Sequence, residues 1–314
     1  MKTKTCDILI LGGGMVGLSL AYQLIERGIS KRIIILDKEK VLGKHSSGRN
    51  SGVLHAGIYY KPGSLKARVC VSGAKRLKKW VSERNLPINN CGKIIVPQKE
   101  SLDMQLDVLA ERGNLNGAEV DLWNEKTLKD YVPFVRTASG RALWSPNTSV
   151  VKPLLIIKTL SDELKSKGVE IMNLGPKQKY CIDHENMNIN INSNKRLEYK
   201  FVINCTGLQA DKIAHSFGLG LNYRIIPFKG LYWQINNKIC KLNIPSNIYP
   251  VPDLNVPFLG VHFTPSADNE PLVSIGPTAV PALGRENYNI LQNIQPIDAM
   301  LDLAFLGQQY FLNN

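Results

Sequence analysis

The sequence predicts an α/β protein in which a parallel, Rossmann-like sheet is interrupted by an inserted, mainly antiparallel β-sheet domain with helices. Two observations predict this fold. A strand, a glycine turn, a helix and a second strand follow one another from Asp7 to Asp37. A helix, a strand, a hairpin and a further helix return between residues 150 and 220, and short strands with prolines and aromatics follow.

The predicted parallel domain is discontinuous in sequence. It takes residues 1–84 and 150–220, whereas the second domain takes residues 85–149 and 221–314. The 314 residues of the chain accommodate roughly two domains of about 150 residues each.

The chain begins with a βαβ motif. Residues 7–11 are a short apolar run that ends at a glycine triplet, which is typical of a buried strand. Apolar residues from Val16 to Ile25 predict a helix that ends at Gly28, and residues 32–37 predict the second buried strand. The crossover between the two strands is expected to be right-handed, with the strands parallel.

The later elements follow from the same kind of pattern. Apolar residues after Pro62-Gly63 predict a helix with a solvated basic face. Another helix is predicted from Pro153 to Gly168, because proline favours the first turn and glycine the position after the last. The predicted strands, hairpin turn and final helix of this part lie at residues 169–172, 187–191, 193–194, 197–204 and 209–217.

The composition excludes several classes of protein. The 39 basic and 26 acidic residues give a net charge of +13, which is compatible with acidic small molecules, nucleic acid or an anionic membrane surface. No nucleic-acid-binding module accompanies the charge, so no nucleic-acid partner is expected. The six cysteines include no CxxC pair, which argues against a zinc site, a dithiol centre and a disulfide-rich secreted domain, and no metal is expected.

No targeting or membrane-spanning segment is predicted. The apolar stretch at residues 8–22 is too short to span a bilayer and is broken by glycines. It also lacks the regions of a signal peptide. We therefore expect a cytoplasmic protein whose contact with a membrane, if it has one, is peripheral.

The strongest motif is Gly12-x-Gly14-x-x-Gly17 followed by Asp37. Gly12 permits the tight turn, Gly14 lets the backbone approach a pyrophosphate, and Gly17 lets helix and strand pack closely. The helix N-terminus presents free N–H groups to the phosphates. Asp37 is positioned to accept hydrogen bonds from an adenosine ribose, so the motif predicts dinucleotide binding.

The order of the elements favours FAD over NAD. After Asp37 the chain enters a loop rich in glycine and serine at residues 45–52 and then leaves the domain, whereas an NAD-binding domain usually continues into a third βα unit. The chain returns much later with a strand that ends at Thr206-Gly207. Because there is no second GxGxxG motif, a separate NADPH domain is not expected.

Five longer strings carry a resemblance to a known family. They are HSSGRNSGVLHAGIYYKPGSLKA (residues 45–67), INCTGLQADKIA (203–214), IIPFKGLYW (225–233), IYPVPDLNVPFLGVHFT (248–264) and IGPTAVPALGRENY (275–288). Through them the chain closely resembles the L-2-hydroxyglutarate oxidase or dehydrogenase group of the D-amino-acid-oxidase-like FAD superfamily. The resemblance implies FAD as cofactor and oxidation of L-2-hydroxyglutarate to 2-oxoglutarate, with electrons passing to a quinone-type acceptor or to oxygen.

The resemblance also implies a set of cofactor-binding residues. Those expected around the ADP half are Gly12, Gly14, Met15, Val16, Gly17, Asp37 and Lys38. Those expected along the pyrophosphate and the flavin ring are Ser46, Ser47, Arg49, Asn50, Ser51 and Gly52. Thr206 and Gly207 are expected to close over the nucleotide from the second segment.

Two histidines are the candidate catalytic residues. Oxidation of a 2-hydroxy acid moves a hydride from the α-carbon to the flavin while a base takes the hydroxyl proton, and histidine suits the role of base. His55 follows the flavin loop and His262 lies in a predicted strand, so one is expected to be the base and the other to bind the α-carboxylate. A purely structural role stays open for each. The other histidines, His45, His184 and His215, are expected to have ordinary roles.

A dicarboxylate substrate needs cationic or hydroxyl partners at both ends. The resemblance favours Tyr60, Lys229 and Arg285 as substrate-binding residues, with Tyr249 as a further donor. Weaker candidates are Tyr59, Lys61, Lys66 and Arg68. Because Tyr59 and Tyr60 alternate in a strand-like run, at most one of them is expected to face the flavin.

The sequence departs from the family pattern at two places. Lys152 and Pro153 stand where the family usually has an aspartate, so any role of that aspartate is lost. Members of the family continue past position 314 into a glycine-rich loop and a helix, so the resemblance implies weak flavin retention for these 314 residues alone. Two alternatives stay open. One is a related flavoenzyme, either an FAD-dependent amine or amino-acid oxidase or a relative of glycerol-3-phosphate dehydrogenase, and the other is a truncated, non-catalytic flavin-binding relic.

Overall fold

A computed structural model describes most of the chain. The described residues are 2–29, 32–175, 178, 180–192, 195–236, 239, 244–252, 260–268, 270–289 and 292–313. The predicted hairpin turn at residues 193–194 lies outside them, as do residues 253–259 of the fourth family-like string.

Helices and strands alternate irregularly along the chain. The helices are α1 (Met15–Glu26), α2 (Leu65–Ser82), α3 (Asp103–Leu115), α4 (Glu125–Tyr131), α5 (Pro153–Ser166), α6 (Ala210–Ser216) and α7 (Pro296–Asn313). The first eight strands are β1 (Lys2–Leu11), β2 (Ile33–Asp37), β3 (Val53–Leu54), β4 (Ile88–Asn89), β5 (Lys93–Val96), β6 (Asp121–Asn124), β7 (Arg141–Ser145) and β8 (Ser149–Val151). The others are β9 (Glu170–Asn173), β10 (Tyr180–Asp183), β11 (Asn188–Ile191), β12 (Lys195–Asn204), β13 (Phe228–Asn236), β14 (Asn247–Pro250), β15 (His262–Pro265) and β16 (Leu272–Pro281).

The first of two compact units contains a mixed sheet, in which strands β12, β1, β2 and β9 are parallel and the pairs β10–β11 and β11–β12 are antiparallel. It consists of Met1–Asn50, Pro153–Lys229 and Pro281–Asn314. Its six strands lie in the order β10-β11-β12-β1-β2-β9, and β1 pairs in parallel with both β2 and β12. Buried apolar side chains on one face of β1 and β2 form a core cluster together with those of β11 and β12, and the residues Ile33–Leu36 of β2 are buried in succession. The predicted α/β fold with a βαβ start is confirmed in this unit.

The second compact unit contains the inserted, mainly antiparallel domain. It consists of Ser51–Lys152 and Gly230–Val280. A seven-stranded sheet lies in the order β13-β16-β15-β14-β5-β7-β6, and the pair β14–β5 is parallel whereas β14–β15, β15–β16, β5–β7 and β6–β7 are antiparallel. A small antiparallel sheet, β3-β8-β4, accompanies it.

The compact units divide the chain at other positions than the predicted domains do. Helix α2 belongs to the second unit, where the preceding β3 pairs with β8 and Val151 donates a backbone hydrogen bond to Gly52. Residues 281–314 belong to the first unit, where Ala282 donates a backbone hydrogen bond to Pro227. Which segments serve the cofactor and which serve the substrate stays a prediction.

No described helix is both long and apolar enough to cross a lipid bilayer.

Candidate functional site

The glycine motif lies where β1 ends and α1 begins. Gly12 has φ +103°, and a Cβ on it would lie 2.4 Å from the carbonyl oxygen of Cys205, at the end of β12. A Cβ on Gly17 would lie 2.0 Å from the carbonyl oxygen of Gly12. Side chains at these positions would therefore push the helix away from the sheet, which agrees with the packing roles expected from the motif.

The first turn of α1 presents backbone N–H groups, as the motif predicts. Gly14 is its N-cap residue, and a Cβ there would lie 2.8 Å from Ser47 Oγ, so the loop that follows β2 passes close by. The Met15 N–H donates a hydrogen bond to Ser47 Oγ at 3.0 Å, and the Val16 side chain is exposed. An anion at this terminus would be favoured by the free donors and by the helix dipole.

Asp37 ends β2 beside the glycine loop. Its Oδ2 accepts a hydrogen bond from the Gly13 N–H at 2.7 Å, and its Oδ1 accepts one from the Glu39 N–H at 2.8 Å. A carboxylate oxygen can accept two hydrogen bonds, and each oxygen of Asp37 accepts one of those described here. One lone pair on each oxygen therefore remains for another donor. The geometry leaves Asp37 able to bind both hydroxyls of a ribose.

The serine-rich loop is folded by its own polar side chains. Asn50 Nδ2 donates to the carbonyl oxygens of Ser46 and Ser47, both at 2.9 Å, and Arg49 Nε donates to the Lys44 carbonyl at 2.8 Å. Predicted cofactor-binding residues thus hold the shape of the loop. Ser51 and Gly52, the last two residues predicted along the cofactor, are the first described residues of the second unit.

These segments enclose a cleft within the first unit. The cleft has about 920 Å³ of empty space and is lined by Gly12, Gly14, Asp37, Lys38, Ser46 and Ser47. Thr206 and Gly207 line it from the end of β12, where Thr206 Oγ1 donates to Asn204 Oδ1 at 2.6 Å. The empty space of the cleft includes open solvent.

A charged network lies at one side of the cleft, and the sequence analysis missed it. Buried Glu39 accepts hydrogen bonds from Lys44 Nζ at 2.6 Å and from His45 Nε2 at 3.0 Å. Burial acts to raise the pKa of Glu39, but these bonds and the ammonium of Lys38 lower it to about 2. Lys38 also contacts Glu286. His45, for which no functional role is expected from the sequence, lines the cleft as well.

The carboxylates of this network form ion pairs with lysine side chains. Oxygens of Glu39 and Glu286 and a nitrogen of His45 lie within 4.8 Å of one another, which is close enough to share a metal ion. Lys38 and Lys44 neutralise these carboxylates, and His45 Nδ1 lies 2.6 Å from the Tyr288 hydroxyl. The network is therefore an ion-pair cluster at the cleft wall.

Two of the predicted substrate-binding cations have partners within the first unit. Arg285 is 3% exposed, and its guanidinium binds both carboxylate oxygens of Asp211 and the Leu208 carbonyl. Burial opposes the effect, yet Arg285 holds the pKa of Asp211 well below its usual range. Lys229 Nζ donates to Asn287 Oδ1 at 2.9 Å. Arg285 therefore links the segment that follows β16 to the segment that follows β12. Its role as a substrate ligand stays a prediction.

The second unit holds a separate cluster of aromatic and basic side chains, which we call the histidine–lysine cluster: His55, Tyr59, Lys93, Tyr249 and His262. Tyr249 on β14 stacks on His262 of β15 with ring centroids 3.8 Å apart, and the His55 ring lies edge-on to Tyr249 at 6.2 Å. Lys93, the first residue of β5, donates to the Tyr59 hydroxyl at 3.2 Å. The two predicted catalytic residues and the predicted donor Tyr249 are thus brought together.

Two ring nitrogens of this cluster are buried without a hydrogen-bond partner among the described residues, namely His55 Nδ1 and His262 Nε2. His262 Nδ1 lies 2.9 Å from the Gly260 carbonyl oxygen, which can only accept. Nδ1 therefore carries the proton, and Nε2 presents an unshared electron pair. Buried polar atoms are nearly always paired, so an open nitrogen here indicates a place for a ligand.

Both histidines are neutral at physiological pH. Burial, followed by the positive charge of Lys93, lowers the pKa of His55 to about 3. Burial is also the main cause that lowers the pKa of His262 to about 4, although the bond to Gly260 opposes it. A neutral imidazole accepts protons, whereas an imidazolium does not.

The remaining substrate candidates lie elsewhere in the second unit. Tyr60 is partly buried and its carbonyl oxygen accepts a bond from Asn116, while Lys61, Lys66 and Arg68 are exposed. Lys93 is the basic residue that the sequence analysis missed. Its signal was a lysine at the start of the apolar run KIIV, in which all four residues are buried.

The fold and the cleft together define a dinucleotide-binding α/β protein with an inserted, mainly antiparallel domain. The glycine cradle, the helix N-terminus and Asp37 fit the ADP half of such a cofactor. Residues 7–302 match the FAD dependent oxidoreductase (DAO) family, and the chain belongs to this family. Its cofactor is FAD.

Known proteins with similar sequences share one activity in their names. The L-2-hydroxyglutarate dehydrogenase, mitochondrial, of Caenorhabditis briggsae is 36% identical over 96% of this chain and 70% of its own length. The L-2-hydroxyglutarate dehydrogenase of Salmonella houtenae is 34% identical over 90% of this chain and 66% of its own length.

Solved structures show the same fold at lower sequence identity. The L-alpha-glycerophosphate oxidase of Mycoplasma pneumoniae, solved with FAD bound, has a TM-score of 0.76 at 23% identity and covers 92% of this chain and 76% of its own. The L-proline dehydrogenase of P. horikoshii has a TM-score of 0.73 at 16% identity and covers 97% of this chain and 77% of its own. At these identities the similarity is one of fold alone.

Proposed function

We propose that this FAD-dependent oxidoreductase oxidises L-2-hydroxyglutarate to 2-oxoglutarate and passes the electrons to a quinone-type acceptor or to oxygen. The names of relatives at 34% to 37% identity support the substrate. The observation that carries the proposal is the open, unprotonated Nε2 of buried His262, stacked on Tyr249 in the histidine–lysine cluster.

The first unit binds the cofactor in this proposal. The N–H groups at the start of α1 hold the pyrophosphate and Asp37 holds the ribose, while Ser46, Ser47 and Thr206 line the same cleft. When bound, FAD supplies a two-electron acceptor for the hydride that leaves the substrate.

The histidine–lysine cluster of the second unit binds the 2-hydroxy acid and removes its hydroxyl proton. His262 Nε2 accepts that proton while the Cα–H bond breaks, and the carbon–oxygen double bond of the keto acid forms. The Gly260 carbonyl keeps Nε2 available by holding the proton on Nδ1. His55 contributes a second open nitrogen, Nδ1, for a hydrogen bond with the substrate.

The proposal is tested by the absorbance of the FAD-loaded protein under anaerobic conditions. Addition of L-2-hydroxyglutarate is expected to bleach the flavin band, and 2-oxoglutarate is expected in equal amount. The D-enantiomer is the matched control and should leave the band unchanged. L-proline and glycerol 3-phosphate test the activities named for the two solved structures of the same fold.

The outcomes separate the competing functions. Bleaching by an amino acid or by glycerol 3-phosphate, with none by L-2-hydroxyglutarate, would replace the proposed substrate. A protein that holds FAD and is bleached by none of these compounds would be a flavin-binding protein without the proposed activity. Re-oxidation by a soluble quinone compared with oxygen identifies the acceptor class, and fractionation of the cells tests the expected cytoplasmic or peripheral membrane location.

A further inference from the structure

Lys93 is a buried cation without an anionic partner. Its exposed fraction is 0%, and no carboxylate among the described residues lies within ion-pair distance of its Nζ. The neighbours recorded for Nζ are the Tyr59 hydroxyl at 3.2 Å and the faces of the Tyr59 and Tyr249 rings, whose centroids lie 4.4 Å and 5.1 Å away. A buried ammonium with only neutral partners is rare, because desolvation of the charge is costly.

In the part of the chain that the structure describes, the groups recorded as neighbours of Lys93 supply no negative charge at neutral pH. Burial raises the pKa of Tyr59, of Tyr249 on β14 and of Cys70 on α2, so these groups stay protonated. The histidines on the other sides, His55 and His262, are neutral, and their protonated forms would be positive. Among the described residues, the groups that act on the ammonium therefore leave its charge uncompensated.

The surroundings of Lys93 match the chemistry of a carboxylate. The ammonium provides the charge, the Tyr59 and Tyr249 hydroxyls provide neutral donors, and His55 Nδ1 is open in the same cluster. Hydrogen bonds from a buried cation to a carboxylate are shorter and stronger than those between neutral groups.

We infer that Lys93 is the substrate-binding residue that holds a carboxylate group of the 2-hydroxy acid, within the histidine–lysine cluster. The identity of the acid rests on the proposed function, whereas the anion site rests on the burial and contacts of Lys93. Burial is the main cause of the lowered pKa of His55 and of His262, and the charge of Lys93, which a bound carboxylate offsets, is a lesser cause.

The test measures the binding of glutarate, a dicarboxylate that has no hydroxyl to oxidise, to the FAD-loaded protein by calorimetry. Replacing Lys93 with methionine, Lys93→Met, keeps the length of the side chain and removes its charge. We expect ~10- to 100-fold weaker glutarate binding, because a hydrogen bond to a charged group is lost. Lys79→Met is the control, since the side chain of Lys79 on α2 is 79% exposed, and it should bind glutarate like the unmodified protein.

Two further readouts separate a binding role from a structural one. Without ligand, Lys93→Met should unfold at a higher temperature, since it removes an uncompensated buried charge, whereas the loss of a structural contact would lower that temperature. With L-2-hydroxyglutarate, KM should rise more than kcat falls. Burial lowers the pKa of Lys93 to about 7, so glutarate affinity of the unmodified protein should fall as the pH rises above 7.

Each outcome decides one question. Equal glutarate affinity in Lys93→Met and in the unmodified protein would overturn the inference. If Lys93→Met does not fold, the pH dependence of the unmodified protein decides, and a glutarate affinity that stays constant between pH 6 and pH 9 would overturn the inference. Lysine-dependent glutarate binding without flavin bleaching by L-2-hydroxyglutarate would refute the proposed substrate and keep the anion site. Flavin bleaching by L-2-hydroxyglutarate with an unchanged KM in Lys93→Met would support the proposed substrate and refute the anion site.

Discussion

Asp37 joins two roles in one side chain, since it fixes the glycine loop and leaves lone pairs for a ribose. Replacing it with alanine, Asp37→Ala, removes the acceptor of the Gly13 and Glu39 N–H groups and any bond to FAD. We expect ~10- to 100-fold weaker FAD binding, because hydrogen bonds to a charged acceptor are lost. The measurement is flavin fluorescence during titration of the FAD-free protein.

A matched control for Asp37 lies on α5 of the same unit. Asp162 forms an exposed pair with Lys158, so Asp162→Ala should bind FAD normally. Circular dichroism should show that both variants are folded. Normal FAD affinity in Asp37→Ala would show that the carboxylate does not contact the cofactor.

His262 is expected to act in proton removal and not in cofactor binding. In His262→Gln the rate of flavin reduction by L-2-hydroxyglutarate should fall by about 10²- to 10⁴-fold, the usual effect of losing a general base. Flavin content should be unchanged. The measurement is anaerobic stopped-flow absorbance, and His184→Gln, which alters an exposed histidine of the first unit, should reduce at the normal rate. A normal rate in His262→Gln would move the role of base to another residue.

The sequence predicts the residues of local motifs and misses those whose role depends on distant neighbours. Gly12, Gly17 and Asp37 are predicted because their spacing lies within one βαβ motif, and their role in cofactor binding stays a prediction. Arg285 was expected at the substrate, yet it binds Asp211, which lies 74 positions earlier in the chain. Lys93 was missed because its environment comes from Tyr59 and Tyr249, residues of other segments, and a single lysine in an apolar strand has no periodic signal.

At the scale of elements, two helical glycines should respond in opposite ways to the same substitution. A Cβ on Gly73 of α2 would meet nothing within 4 Å, so Gly73→Ala should stabilise the protein by about 0.5–1 kcal/mol through higher helix propensity. A Cβ on Gly113 of α3 would lie 2.8 Å from Val120 Cγ2, so Gly113→Ala should destabilise it by about 1–3 kcal/mol. Urea unfolding of both variants is the measurement, and equal signs would contradict the packing of α3.

Element boundaries were predictable where local residues define them. Helix α5 was expected from Pro153 and is observed from Pro153 to Ser166, since proline and the following glycine mark both ends. Strand β1 begins at Lys2, five residues before the expected start, because its polar first half pairs with β12. The two-residue strands β3 and β4 exist through their bonds to β8, and such distant pairing leaves no local pattern.

At the scale of the whole molecule, the sequence predicts the fold class, whereas the assignment of segments to a cofactor-binding and a substrate-binding domain stays a prediction. Periodicity indicated a parallel and an antiparallel part, and both are present. The division depends on which unit a returning segment joins. Residues 281–314 join the first unit through contacts such as those of Arg285 with Asp211 and of Arg224 with Asp298 and Asp302. The local sequence of residues 281–314 does not indicate whether they pack in the first unit or in the second.

The whole molecule should lose stability as the pH falls from 6.5 toward 3. Burial lowers the pKa of His55 from 6.5 to about 3 and that of His262 to about 4 in the folded state, so the unfolded chain binds more protons in this range. Below pH 4.5 the lowered pKa of Glu39, about 2, and the lowered pKa of Asp211 act in the same direction. The contribution of these groups therefore rises with pH through this window and is complete above pH 6.5. Lys93, whose pKa burial lowers from 10.5 to about 7, adds a further rise above pH 7. Urea midpoints at successive pH values measure it.

The part of this pH dependence between pH 5.5 and pH 6.5 belongs mainly to the two histidines, because the carboxylates are almost fully ionised there in both folded and unfolded states. The double variant His55→Gln/His262→Gln should therefore show a flatter urea midpoint between pH 6.5 and pH 5.5 while it keeps the steep loss at lower pH. His184→Gln should follow the unmodified protein throughout, since His184 is exposed. If the urea midpoint of the double variant depends on pH as steeply as that of the unmodified protein, the histidine–lysine cluster is open to water. Water would then solvate the Lys93 ammonium, and the cluster would have no need of a bound carboxylate.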